Sequence, residues 1–209
     1  MRLSYLLLFL CFTLFTTAQN FEGYISYNVE VESTTPEMPK NLLQQWFGTK
    51  FTVFFKDGGY VGLGDGTFMI YELFRPGDSL QYFKDGDSDS ILYYKSLNVP
   101  EARATFTMKE TADTILGYPC TLLTVDYGDR LGKYYFNKSL GIDTSAYTHF
   151  LIFNKREIVS RMESVYLKFE MEYPYGKAIL TATEIHPLPL KESIFDFPKN
   201  TPIMPYPEE

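Results

Sequence analysis

The stretch Phe21-Glu22-Gly23-Tyr24-Ile25-Ser26-Tyr27-Asn28-Val29-Glu30-Val31-Glu32 changes character at every step. Phe21, Ile25, Tyr27, Val29 and Val31 share one parity, and Glu22, Ser26, Asn28, Glu30 and Glu32 the other. Successive side chains of a strand point to opposite faces, so this is a long strand with one buried and one wet face. Val165, Leu167, Phe169 and Met171 alternate with Ser164, Tyr166, Lys168, Glu170 and Glu172 in the same way, as do Ala104, Phe106 and Met108 with Arg103, Thr105, Thr107 and Lys109. One-sided alternation belongs to antiparallel sheets with a solvated face.

Further strands are expected over Phe51–Lys56, Phe68–Arg75, Ser79–Lys84, Ile91–Ser96, Cys120–Tyr127, Lys133–Asn137 and Lys177–Ile185. Turn chemistry separates them at Lys56-Asp-Gly-Gly59, Gly64-Asp-Gly66, Arg75-Pro-Gly-Asp78, Lys84-Asp-Gly-Asp87, Tyr127-Gly-Asp-Arg130 and Tyr173-Pro-Tyr-Gly176. Strand, tight turn, strand describes a meander. One segment departs from it. Thr35 is placed to cap a helix and Pro36 to open it. Met38, Leu42 and Trp46 recur every four residues with Leu43 and Phe47 beside them, and Gly48 closes the run. A helix over Pro36–Phe47 is expected to lay its apolar face on the sheet, and Asp143–Phe150 is a weaker helical candidate. No linker or repeat divides the chain, so residues 19–200 read as one domain and 201–209, rich in proline, as a flexible tail.

Residues 1–18 have the form of an export signal: Arg2, then the apolar run Tyr5–Phe12, then small residues up to Ala18. The run is short for a membrane span and nothing later approaches that length, so no transmembrane segment is expected after cleavage. Leu10 before Cys11 does not make a lipidation site. A periplasmic or secreted location, most readily in a Gram-negative bacterium, follows. Cys120 then has no partner; it is either a small buried side chain or a reactive thiol, and no neighbouring His or helix start favours the latter.

The 209 residues carry a net charge of −7, which argues against a nucleic-acid partner. Two His and two Cys leave little for a metal or cofactor, and none is expected. Asp85-Gly-Asp87-Ser-Asp89 resembles the start of a calcium loop, but Ser90 and Ser96 stand where such a loop needs Gly and Glu. Gly62-Leu-Gly64-Asp-Gly66 precedes strand-like Thr67–Tyr71 rather than a helix, so it reads as a hairpin turn and not a phosphate loop. His149 and His186 stand apart from any nucleophile motif. No catalytic residue is assigned, and the chain is not expected to be an enzyme.

Aromatics make up 17% of the chain. Adjacent pairs such as Tyr93-Tyr94, Tyr134-Tyr135 and Phe54-Phe55 put one ring on each face of a sheet. Packing accounts for many of them. A concave apolar surface lined with rings and Met would account for the rest, and both readings stand at this point.

Three further segments carry a family resemblance. Phe21-Glu-Gly-Tyr-Ile-Ser-Tyr27 directly after the signal, Glu110-Thr-Ala-Asp-Thr-Ile-Leu-Gly-Tyr-Pro-Cys120, and Ser193-Ile-Phe-Asp-Phe-Pro198 together resemble secreted Bacteroidota proteins of a domain family of unknown function. Leu140-Gly-Ile-Asp143 fits the same pattern. That group is similar to the carriers that escort lipoproteins across the periplasm, the LolA/LolB-like proteins. The resemblance implies a mainly β, α+β fold: a strongly curved antiparallel sheet or incomplete β-barrel with one or two helices packed on its concave face. It transfers no functional residue. The expected function is non-enzymatic binding of a lipid, acyl chain or other hydrophobic partner, with Leu42, Trp46, Phe68, Phe106, Phe169 and Met171 lining the site. The alternatives are a cell-envelope interaction module with a filled core and, less favoured, a hydrolase whose motif is not apparent.

Overall fold

The computed structural model describes residues 20–68, 70–84, 86, 88–95 and 103–207. The expected export signal lies outside the described residues, as do Asp85 and Asp87 of the acidic turn. The elements run β1 (Gly23–Ser33), α1 (Lys40–Phe47), β2 (Lys50–Lys56), β3 (Gly59–Gly64), β4 (Tyr71–Phe74), β5 (Leu80–Lys84), β6 (Ile91–Lys95), β7 (Thr105–Ile115), β8 (Tyr118–Asp126), β9 (Leu131–Gly141), α2 (Lys155–Met162), β10 (Ser164–Tyr173), β11 (Gly176–Pro187) and β12 (Ile203–Pro205).

Among the described residues all twelve strands belong to one sheet, ordered β12-β6-β5-β4-β3-β2-β1-β11-β10-β9-β8-β7. Two meanders meet where β1 pairs with β11, antiparallel from Gly23↔Pro187 to Ser33↔Gly176, with a bulge at Ser26/Tyr27. Pairing is antiparallel throughout except at one edge. There Ile203–Pro205, inside the expected flexible tail, lies parallel to Ile91–Tyr93.

The sheet cannot be flat. Glu72 on β4 and Tyr134 on β9 line the same small cavity, yet they stand six strand steps apart. At about 4.8 Å per step a flat sheet would separate them by about 29 Å. The bulges in β1–β11, β7–β8 and β9–β10 add the local twist that lets the sheet wrap round. The result is the curved, open, mainly antiparallel sheet with two α-helices on its inner side that the resemblance implied.

The helices differ from the expectation in two ways. α1 begins at Lys40, four residues after Pro36, with Pro39 in extended geometry as its N-cap. Pro39 disfavours helical geometry at Met38 and has no N–H to continue a helix from Pro36, so the Thr35–Met38 segment makes only a turn. α2 was not foreseen at all. The weaker candidate became a 3-10 turn, Thr144–Tyr147, capped by Asp143 Oδ1 accepting from the Ser145 N–H at 2.9 Å. β3 was also hidden, because its flanking glycines read as turns. Gly62 is inside the strand, under the Phe51 ring, where a Cβ would fall 2.5 Å from Phe51 Cζ. Gly66 of the next loop abuts the end of α1, with the Phe68 N–H donating to Trp46 O at 2.9 Å.

The two faces of β2–β6 are both apolar, which explains the paired aromatics. Phe51, Val53, Phe55, Tyr60 and Phe74 face inward to the main core. Val61, Tyr71, Leu73, Tyr82 and Ile91 face outward and are covered by Phe195 and Phe197 of the C-terminal segment. Cys120 is buried in the main core, its Sγ–H donating to Tyr118 O at 3.3 Å.

Candidate functional site

The inner side of the sheet is plugged by the segment between β9 and β10. Phe150 stacks on Phe74 at 4.4 Å and Tyr147 lies 4.8 Å from the same ring. Farther along, Ile158 and Met162 of α2 pack on Leu123, Val125, Tyr134 and Phe136, while Val159 joins the core built on β1–β3. One short helix thus holds both walls of the curve. Residues in left-handed backbone geometry bound it on each side, Phe153 and Asn154 before it and Glu163 after it. An eight-residue helix has little stability of its own, so these three apolar contacts hold it in place.

Beneath α2 is a cavity of about 40 Å³ lined by Phe51, Val53, Tyr60, Tyr134, Ile158 and Met162, together with Glu72, Lys155, Ser164 and Tyr166. Burial pushes the Glu72 carboxyl above its ordinary range, against the pull of Lys155. Burial likewise pushes the Lys155 ammonium down, against the pull of Glu72. Lys155 Nζ also lies 5.8 Å from the centre of the Tyr60 ring. Burial raises the phenols of Tyr60, Tyr134, Tyr147 and Tyr166, which stay neutral. Ser164 is fully buried and its Oγ has no hydrogen-bond partner. An apolar chamber with a few convergent polar groups is the general form of a small-ligand site.

The apolar surface continues out of this chamber. Tyr134 stacks against Phe169 at 4.7 Å, and Phe169 and Met171 are successive inward positions of β10, both half-buried. Gly132 is opposite Met171, and the Met171 methyl and the Tyr134 ring pack over it. Beyond lie Tyr173 and Phe47, stacked at 5.9 Å, at the foot of α1. The strip therefore runs along the concave face from α2 to α1.

Of the residues expected to line a site, Phe169 and Met171 lie on this strip. Trp46 and Leu42 are half-buried on α1, Trp46 edge-on to Tyr175 at 6.5 Å, and Phe68 is 54% exposed with its ring 6.1 Å from Phe47. The face of α1 turned to the sheet is instead Leu43 with Phe47, against Val31, Ala178 and Tyr173. Phe106 on β7 packs, like Phe169, against the cluster that Ile158 and Met162 of α2 form with Leu123, Val125, Tyr134 and Phe136, with the Arg161 guanidinium 4.8 Å over its ring. Sequence reasoning did not find Glu72 or Lys155. Glu72 had a legible signal: it shares its parity with Phe74, which puts an acid on the inner face. Lys155 had none, since the helix that carries it was not recognised. Among the described residues no group of three His, Cys, Asp or Glu gathers as a metal site would require, and no helix is long and apolar enough to cross a membrane.

A second, larger hollow of about 390 Å³ is an open surface groove at the β2–β3 and β4–β5 turns, lined by Lys56, Asp57, Arg75, Glu192, Phe195 and Asp196. Its cations are engaged. Lys56 Nζ pairs with Glu192 at 2.9 Å and Glu22 at 3.3 Å. Arg75 donates to Phe195 O through Nε at 3.1 Å and lies 4.3 Å over the Phe197 ring. The groove is the seam where the C-terminal segment is fastened to the outer face.

No family model and no curated protein matches this chain. Among solved structures it is similar to PNGF-II, with a TM-score of 0.47 and 9% identity over 88% of this chain. The chain spans only 31% of PNGF-II. It is also similar to the Mycobacterium tuberculosis lipoprotein LppX, with a TM-score of 0.36 and 10% identity, over 81% of this chain and 89% of that one. LprF from Mycobacterium bovis follows at a TM-score of 0.27 and 11% identity, over 81% and 88%. These overlaps are loose, and the functional reading is drawn from the chain's own geometry.

Proposed function

We propose that this chain is a non-enzymatic binding protein of the periplasm or extracellular space that receives a hydrophobic ligand, a lipid or acyl chain, on its concave face. The observation that carries this reading is the continuous apolar strip from the α2 chamber over Phe169 and Met171 to Phe47 and Tyr173. It is half-buried, not sealed, and it is bounded at one end by a short helix with left-handed residues on both sides. A chain lying on the strip removes apolar surface from water at about 25 cal/mol per Å².

The chamber itself favours a second reading. At about 40 Å³ it admits no acyl chain as it stands, which is what an interaction module with a filled core would have. The two readings part on ligand uptake. Mass spectrometry of lipids extracted from natively purified protein, together with titration of a fluorescent fatty acyl probe, decides between them. A saturable signal that Phe169→Asp weakens at least about tenfold, or about 1.4 kcal/mol, supports the binding protein. Absence of bound lipid and of probe uptake leaves the filled module.

A further inference from the structure

The chamber under α2 and the strip on β10 differ in chemistry, and the difference bears on which end of a ligand each could take. The strip offers Phe169 and Met171 with no charge on the same inward row of β10. The chamber offers one cation, Lys155 Nζ, one acid, Glu72, and a buried hydroxyl, Ser164 Oγ, that no protein group satisfies. A buried hydroxyl without a partner costs about 1–3 kcal/mol, which a bound acceptor would recover. A water needs only about 10–15 Å³ of such space, so about 40 Å³ holds a group the size of a carboxylate but no chain. Tyr134 belongs to both regions, lining the chamber and touching Phe169 at 4.7 Å.

We infer that the ligand is a single-chain amphiphile with a carboxylate head, a fatty acid. Its head lies in the chamber between Lys155 Nζ and Ser164 Oγ, and its tail runs over Tyr134 and Phe169 to Met171. This rests on the apolar-ligand reading above and narrows it. Both proposed donors suit an anion: an ammonium and a hydroxyl each give a hydrogen bond to a carboxylate oxygen. Glu72 faces the same space. Burial raises its affinity for a proton, which eases its repulsion of a second carboxylate there. A large zwitterionic or sugar head does not fit the volume, and a methyl ester brings no charge to Lys155.

The experiment is displacement of the fluorescent acyl probe at about pH 7 by palmitate, its methyl ester and the corresponding alkylamine, on the full chain. Palmitate is expected to compete about tenfold better than the ester, and Lys155→Met to abolish that preference, the loss falling on palmitate more than on the ester. Ser164→Ala is expected to reduce the preference in part. Each variant is checked for an unaltered thermal transition, and Ser164→Ala serves if Lys155→Met does not fold. Equal binding of acid and ester, tighter binding of the amine, or a Lys155→Met loss that falls equally on acid and ester overturns the carboxylate head and leaves the apolar site standing. Competition by none of the three overturns both readings together.

Discussion

Glu170 shows how single residues are managed on the outer face. It lies on β10 opposite in parity to Phe169, with its side chain only 6% exposed. Lys168 Nζ at 2.6 Å and Lys177 Nζ at 2.8 Å pair with it, and Lys133 stands at 4.0 Å. Burial alone would raise its pKa, but the two close ammonium groups outweigh burial and hold the carboxyl below its ordinary 4.5. A group depressed on folding contributes stability above its unfolded pKa and loses it as pH falls through the folded value. Glu170→Gln is therefore expected to cost about 1–2 kcal/mol near pH 7, less than a fully buried pair because the lysines are partly exposed. Urea midpoints should show that difference shrinking below about pH 4.5; a cost that stays constant down to pH 3 would mean packing and not charge is lost. Gly66 is a second such position, set by space. A Cβ there would lie 2.5 Å from Gly48 N and against Trp46 O, both backbone atoms. Gly66→Ala should lose about 1–3 kcal/mol in the same assay, whereas a loss below about 0.5 kcal/mol would mean the loop slides off α1.

Elements were legible where their pattern was long. β1, β10 and β11, strands of 11, 10 and 12 residues, formed close to the expected bounds, the first two expected from their alternation. The start of α1 was misplaced because Pro36 looked like an opening proline, while Pro39 is the one the helix obeys. α2 was illegible because Ile158 and Val159 are β-branched and adjacent, and Met162 completes only one turn of helical spacing. The candidate site inherits this split. Phe169 and Met171 came from a long strand, whereas Lys155 came from an unrecognised helix. Ligand entry to the chamber under the proposed function requires that helix to move. With three buried side chains against a sheet of long ladders, α2 should open without global unfolding. Hydrogen exchange should give Val159–Met162 amides a lower opening free energy than those of β1 and β11, and a bound acyl chain should raise it. Exchange of α2 only through global unfolding would show that the chamber stays shut.

For the whole molecule, the question is why a chain with apolar residues on both faces of β2–β6 stays a single body. The inner face is closed by the β9–β10 segment and the outer face by the C-terminal strap, so each half of the paired aromatics has its own cover. The strap is tied at three places. Lys56 holds Glu192 and Leu190 O, Arg75 holds Phe195 O and the Phe197 ring, and β12 pairs with β6 at the sheet edge. Phe197 also meets Tyr82 edge-on at 4.8 Å. The segment Ser193-Ile-Phe-Asp-Phe-Pro198 is this clasp. Removing its rings should act on the outer face alone. Phe197→Ala is expected to cost about 1–3 kcal/mol, below the figure for a fully buried ring because Phe197 is half-buried. The double change Phe195→Ser with Phe197→Ser should uncover Tyr71, Leu73 and Tyr82 together. It should then raise the fluorescence of a dye that reports exposed apolar surface and promote concentration-dependent association in sedimentation. Binding of an acyl probe should be unaffected, since Phe169 and Met171 lie on the opposite face of the same sheet. Loss of probe binding in step with dye exposure would mean that the ligand lies under the strap and that the concave strip is only core.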